Sequence, residues 1–243
     1  MADTQLRYSP GRTLAWMRAG TERFEAAVQD LDPHAVTEPT RLSGWHRGHL
    51  IAHVARNADA LRNLLTWART GVETPMYPDA ERRASQIEAG AARPLAEQVA
   101  DLLQADAMLA EAVSTMPDEA WTVPVRTARG RQVMAAEVPW MRTREVWVHG
   151  VDLGTGCAFD DQPADLTRAL LADVVTVLAK RAGVPALVMV ATDGQGELTL
   201  PGQGHPVWVT GSRTRLLGWL TGREAGDALG ADPAPLPPLP AWL

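Results

Sequence analysis

Most of the first 157 residues of this 243-residue chain show the periodicity of α-helices. Apolar residues recur there three and four positions apart, the spacing that aligns side chains along one face of a helix. Four long segments show the pattern: 13–31, 42–71, 94–117 and 135–154. Four amphipathic helices with such connections predict a helical bundle, whose interior can hold a metal site built from facing helices.

Helix-ending residues predict where these segments begin and end. Ser43 is expected to cap the second helix and Gly71 to end it. A short helix follows, with a break near Gly90, and Pro94 suits the first turn of the third long helix because proline lacks an N–H. The segment TVPVRTARGRQV alternates around an Arg-Gly turn and predicts a small hairpin.

The sequence pattern changes from about residue 160. A helical segment at 163–183 precedes three strand-like segments, at 186–194, 196–202 and 206–211, and a short helix that Ser212 can cap. The tail, 231–243, is too rich in proline for helix or sheet, and its Trp242 and Leu243 are expected to dock on the body. The predicted class is therefore α+β, with a helical bundle at 1–157 and a smaller α+β domain at 158–243.

The charge and composition of the chain argue against several classes of function. The net charge of −6 comes without blocks of like charge, which argues against nucleic acid and anionic membranes as partners. The chain shows no apolar run long enough for a membrane span and no secretory signal at its start, so a cytoplasmic location is expected. Lys180 is the only lysine among 23 basic residues, which suggests a GC-rich genome such as that of an actinobacterium.

The segment REVWVHGVD carries Glu145 and His149 four residues apart in an apolar context. On a helix these two side chains point into one volume. The second helix offers three histidines, of which His53 lies on the expected inward stripe with Leu50 and Leu61. Two imidazoles and one carboxylate suit zinc and leave a coordination position open, as in catalytic sites.

A non-metal interpretation of the same residues stays open. A histidine in a helical core is more often a hydrogen-bonded packing residue than a ligand, and Glu145 could simply pair with Arg142. The chain contains no HExxH motif, which would be a stronger signal of zinc.

Two long segments resemble a known family. GWHRGHLIAHVARNADALRNLLTWARTGVETPMY and WMRTREVWVHGVDLG are similar to the corresponding stretches of mycothiol-dependent maleylpyruvate isomerases, whose N-terminal half belongs to the DinB-like metal-binding four-helix bundle superfamily. The resemblance extends over most of the chain. It implies that His53, Glu145 and His149 are zinc ligands and that Arg223, in the short motif TGRE, is catalytic.

Other residues are assigned roles by their position and chemistry. Arg83 and Arg142 are the candidates to bind substrate carboxylates, since arginine can contact a carboxylate through two N–H groups. Asn57, four residues after His53, and Asp152, three after His149, are within helical reach to orient the imidazoles. Cys157 lies in the loop-like GTGCAFDD, while Trp45, Trp140 and Trp147 are expected to be core residues.

The reaction that the resemblance implies is a cis–trans isomerisation of maleylpyruvate to fumarylpyruvate. Mycothiol, activated at zinc, would add reversibly to the conjugated double bond, so no protein cysteine is needed as nucleophile. Two alternatives remain: a mycothiol S-transferase that acts on another electrophile, and a non-enzymatic binding protein that retained the bundle.

Overall fold

The computed structural model describes residues 10–242, which form two compact units that divide between Cys157 and Ala158. Helices dominate the first unit, and a sheet with two helices makes up most of the second. The predicted α+β class, with an N-terminal helical bundle, is therefore confirmed. No helix among residues 10–242 is both long and apolar enough to cross a membrane.

Five helices build the first unit: α1 Pro10–Gln29, α2 Arg47–Thr70, α3 Ala80–Ala91, α4 Leu95–Ser114 and α5 Val138–Asp152. The longest, α2, packs against α3, α4 and α5, while α1 packs mainly against α5. Leu50, Leu61 and Leu64 of α2 have no exposed surface, because the apolar stripe of this helix faces the other three. α2 is thus the central element of the bundle.

The two ends of α2 differ in how well the sequence predicted them. Gly71 ends the helix with φ of 73°, a left-handed conformation that glycine adopts without strain. The predicted cap at Ser43 is wrong, because residues 42–45 form a turn in which the Trp45 N–H donates to the carbonyl of Leu42. His46 caps the helix instead: its Nδ1 accepts from the Gly48 N–H at 3.1 Å.

The connections of this unit include the predicted hairpin, formed by the antiparallel strands β1 Pro124–Arg126 and β2 Gln132–Met134. The expected break near Gly90 lies slightly later, since α3 runs through Gly90 to Ala91, and Pro94 occupies the N-cap position before α4 without a side-chain hydrogen bond. Gly90 has a packing role, because a Cβ there would lie 2.7 Å from Ala52 of α2. Its missing side chain lets the two helices approach closely.

The second unit combines two helices with a four-stranded mixed sheet. Its elements are α6 Ala164–Leu178, β3 Pro185–Ala191, β4 Glu197–Leu200, β5 Gln203–Gly211, α7 Arg213–Leu220 and β6 Gly230–Asp232. The strand order is β4-β3-β5-β6, in which β3 and β5 are parallel and the other pairs antiparallel. Ser212 caps α7 as predicted.

The tail differs in part from the prediction that it belongs to neither helix nor sheet. Ala231 and Asp232 pair with Val209 and Trp208 as part of edge strand β6, which ends where Pro233 removes the next N–H donor. Trp242 is buried at 2% exposure, and its carbonyl accepts from Arg181 Nη2 at 2.8 Å. Leu243 lies outside the described residues.

Candidate metal centre

Two helices bring the three candidate ligands together. His53 projects from α2, and Glu145 and His149 project from one face of α5. One ligand atom from each residue can be chosen so that all three lie within 4.8 Å of one another. Glu145 Oε1 is 2.6 Å from His53 Nε2 and 3.6 Å from His149 Nε2. The side chains therefore converge on a single point.

The charges of this cluster are strongly coupled. Burial lowers the pKa of His53. Burial would raise the pKa of Glu145, but the charges and hydrogen bonds of the two histidines outweigh it and hold the pKa of this carboxyl well below its usual range. Burial would also lower the pKa of His149, yet the hydrogen bonds that its ring donates to Asp152 and Glu145 raise it to about 9. Glu145 is thus anionic in the folded chain.

The donor set fits a divalent metal ion. Two imidazole nitrogens and one carboxylate oxygen are ligands that zinc prefers, and they come from rigid helices. Among residues 10–242, no further His, Cys, Asp or Glu joins this group. Three protein ligands leave at least one coordination position for a small molecule, as catalytic zinc sites require.

Asp152 contacts His149, a candidate ligand, within the helical reach that its spacing allows. Its Oδ2 lies 2.8 Å from His149 Nδ1, and the Asp152 side chain is fully buried. A carboxylate there favours the tautomer with the proton on Nδ1 and directs Nε2 toward the other ligands. The Asp152 carbonyl also accepts from the Arg41 N–H at 3.2 Å, which ties the end of α5 to the loop before α2.

Asn57 does not orient His53, contrary to the expectation from its spacing. The Asn57 Oδ1 accepts from Arg142 Nη1 at 2.9 Å. The contact at His53 Nδ1 comes instead from Arg83 of α3, whose Nη2 lies 3.1 Å away. Asn57 therefore supports Arg142, and Arg83 lies beside a candidate metal ligand.

Arg83 also contacts an aromatic residue that sequence reasoning missed. Its guanidinium carbon lies 5.6 Å from the centre of the Tyr77 ring, within the range of a cation–π contact. Burial, partly offset by Arg83, raises the pKa of the Tyr77 hydroxyl. The only signal for Tyr77 in the sequence was its place at the end of the first family-like segment. Arg83 itself is half-buried.

Arg142 lies in the bundle interior and has no exposed surface. Its Nη1 donates to the Val54 carbonyl at 2.8 Å and to Asn57, and its Nη2 forms an ion pair with Asp106 of α4. With both terminal nitrogens bound to protein, Arg142 joins α5 to α2 and α4. This position does not fit the expectation that Arg142 binds a substrate carboxylate. The alternative pairing of Arg142 with Glu145 is not formed either.

A second carboxyl group lies beside the Arg142–Asp106 pair. Burial, together with the charge of Asp106, raises the pKa of Glu25 to about 7. The proton is therefore bound more tightly in the folded chain, so the stability that Glu25 contributes is lost as pH rises from about 4.5 to about 7.

Glu25→Gln tests this assignment, because glutamine does not titrate. The free energy of unfolding of the variant, minus that of the wild type, should rise between pH 5 and pH 8 and level off above. Denaturant unfolding at several pH values measures the difference. A difference that is constant across this range would contradict a raised Glu25 pKa.

Of the three tryptophans near the ligand segments, Trp45 contacts the cluster. Its ring lies edge-on to His53 at 5.3 Å and stacks on His49 at 6.2 Å. Trp140 packs edge-on to Trp16, and the Trp147 Nε1 donates to the Trp16 carbonyl, so both are core residues as predicted. Trp45 is half-buried and forms part of the surroundings of the His53 ring.

Arg223 and Cys157 are not among the residues of the ligand cluster. Arg223 follows α7 in the second unit, where its Nη1 donates to the Thr221 carbonyl at 2.6 Å. Its guanidinium carbon lies 5.9 Å from the centre of the Trp242 ring. Cys157 is half-buried in the loop after α5, and it joins no metal-binding group within residues 10–242.

Comparison with known proteins identifies the family. Residues 17–154 match the model of the mycothiol maleylpyruvate isomerase N-terminal domain. The chain is similar to the crystal structure of a mycothiol-dependent maleylpyruvate isomerase, with 35% identity and a TM-score of 0.90 over 96% of this chain and 97% of that one. A histidine-to-alanine mutant structure of such an enzyme matches with the same TM-score and coverage at 34% identity. No curated protein sequence matched. The chain therefore belongs to the mycothiol-dependent maleylpyruvate isomerase family.

Proposed function

We propose that this chain isomerises maleylpyruvate to fumarylpyruvate with mycothiol as cosubstrate, at a zinc centre held by His53, Glu145 and His149. The observation that carries the proposal is the convergence of these three side chains within 4.8 Å. It occurs in a chain that is about one third identical to such an isomerase over nearly its whole length.

Cis–trans isomerisation requires that the carbon–carbon double bond of maleylpyruvate lose its double-bond character transiently. The thiolate of mycothiol adds to the carbon–carbon double bond conjugated to a carbonyl, and the electron pair moves to the carbonyl oxygen as an enolate. The former double bond rotates as a single bond. The enolate then expels the thiolate and leaves the trans isomer, so the thiol is not consumed.

A bound zinc ion supplies the positive charge that lowers the pKa of a coordinated thiol. Asp152 holds His149 in the tautomer that leaves Nε2 free for the metal. Glu145 contributes the only protein charge among the three ligands, so the centre keeps a net charge of +1. This charge would favour the binding of a thiolate, which would bring the centre to neutrality.

Two arginines complete the proposal. Arg83, beside His53, binds a substrate carboxylate, because its half-buried guanidinium offers several N–H donors in one plane. Arg223 stabilises the negative charge that develops on the enolate oxygen, which is where a fixed cation accelerates the reaction most.

The test is the conversion of maleylpyruvate by purified protein, followed with mycothiol present and with mycothiol omitted. Turnover that requires mycothiol supports the proposal. Absence of turnover in a protein that holds stoichiometric zinc would overturn the isomerase and favour an S-transferase, since that reaction shares the thiol-activating site and differs only in its acceptor.

Arg223→Ala should retain zinc and lower kcat by roughly 10²–10³-fold, the usual effect of removing one group that stabilises developing charge. Arg215→Ala is the matched control, because Arg215 lies on α7 and forms ion pairs with Asp160 and Glu224. Steady-state kinetics and metal analysis are the measurements. An unchanged kcat in Arg223→Ala would remove this residue from the mechanism.

A further inference from the structure

Arg47 is the first residue of α2, six positions before His53, and its side chain is only 12% exposed. Its Nε donates to the Leu153 carbonyl at 2.9 Å, and its Nη2 donates to the Gly154 carbonyl at 3.3 Å. Its Nη1 donates to the Ala35 carbonyl at 3.2 Å and forms an ion pair with Glu38. All three guanidinium nitrogens therefore have acceptors.

Two of these acceptors lie immediately after α5. Leu153 follows Asp152, the residue that orients His149, and Gly154 turns the chain away with φ of 71°. Carbonyls at the C-terminal end of a helix lack N–H partners within the helix and carry partial negative charge. A guanidinium satisfies two of them at once, because its donors are fixed in one plane.

Arg47 thus joins the start of one ligand-bearing helix to the end of the other. His53 lies on α2, whereas Glu145 and His149 lie on α5, so the geometry of the metal centre depends on the separation of these two helices. Metal ligands must be placed to within about 0.2 Å of their ideal distances. A contact that sets this separation therefore acts on metal affinity even though it touches no ligand.

We propose that Arg47 is a positioning residue for the metal centre, which it serves by holding the Leu153 and Gly154 carbonyls at the start of α2. The inference rests on the metal-binding function proposed above. The ion pair with Glu38 alone would suggest a surface interaction, which contributes little to stability.

The test compares zinc affinity in Arg47→Ala and Arg56→Ala. Arg56 also lies on α2, but it pairs with Asp101 of α4, a helix that carries no ligand. Zinc dissociation constants come from competition with a chromophoric chelator, and the Tm of each metal-free protein reports the loss of stability. Arg47→Ala should weaken zinc binding by about 10- to 100-fold, as supporting contacts do. Arg56→Ala should change it less than about twofold.

Two further variants separate the carbonyl contacts from the charge. Glu38→Gln removes the ion pair but leaves the carbonyl contacts, so its zinc affinity should match that of the wild type. Arg47→Lys keeps the charge but not the planar set of donors, and it should remain weakened. Arg47→Lys also serves as the test if Arg47→Ala fails to fold.

The outcomes distinguish the inference from the function beneath it. Wild-type protein that does not bind zinc would overturn the metal centre itself and this inference with it. Wild-type binding, together with equal zinc affinity in the Arg47 and Arg56 variants, would overturn the positioning role alone. Wild-type zinc affinity in Arg47→Lys would also overturn the positioning role, because a positive charge without the planar set of donors would then suffice.

Discussion

His53→Ala should lose its zinc and, with it, almost all turnover. Zinc bound by protein side chains is held by roughly 10–16 kcal/mol, so removal of one of three ligands should weaken binding by about 10³-fold or more. The protein should still fold, because alanine suits a helix interior and His53 Nε2 makes its contact within the ligand cluster. Metal analysis, chelator competition and the isomerisation rate together measure the effect.

The matched control is His49→Ala. His49 lies one turn before His53 on α2, and its Nε2 is 3.3 Å from Glu88 of α3, away from the ligand set. Zinc content and turnover in this variant should remain close to those of the wild type. A His53→Ala protein that keeps tightly bound zinc would show that the metal centre lies elsewhere.

Arg142→Met should destabilise the protein by about 3–5 kcal/mol, because it leaves the Asp106 carboxylate buried without its cationic partner. Asp106 is 6% exposed, so water offers it little compensation. The Val54 carbonyl and the Asn57 amide would also lose their donor. Denaturant unfolding of the metal-free protein gives the change in free energy.

The double variant Arg142→Met, Asp106→Leu should recover much of this loss, since it replaces the ion pair by apolar groups. It also tests whether Arg142 binds substrate. A structural arginine predicts that KM for maleylpyruvate in the double variant stays within about threefold of the wild type. An increase of tenfold or more, with stability restored, would return Arg142 to the substrate site.

The ligand set could be proposed from sequence because it depends on local geometry. Glu145 and His149 are four residues apart on a helix, a spacing that places two side chains on one face in any helical fold. His53 was selected among three histidines because it shares the apolar stripe of α2. Asp152 was selected for the same reason, since a residue three positions after His149 lies on the same face of the helix.

Roles that depend on a partner helix were harder to predict. Asn57 lies one turn after His53, yet its amide binds Arg142, and His53 meets Arg83 from α3 instead. The residues involved are separated by 85 and 30 positions in the chain, so spacing carries no information about their contact. The His46 cap was missed because it depends on the turn at 42–45.

The sequence by itself determined the helical bundle, the α+β class and the helix faces on which the candidate ligands lie, because helical periodicity is set by neighbours three and four residues away. Only the tertiary structure decided that Arg142 is an interior ion-pairing residue, that Arg83 contacts His53 and that Arg47 joins the two ligand-bearing helices. These contacts depend on how separate helices pack, and packing is set by the shapes of distant surfaces rather than by any local repeat.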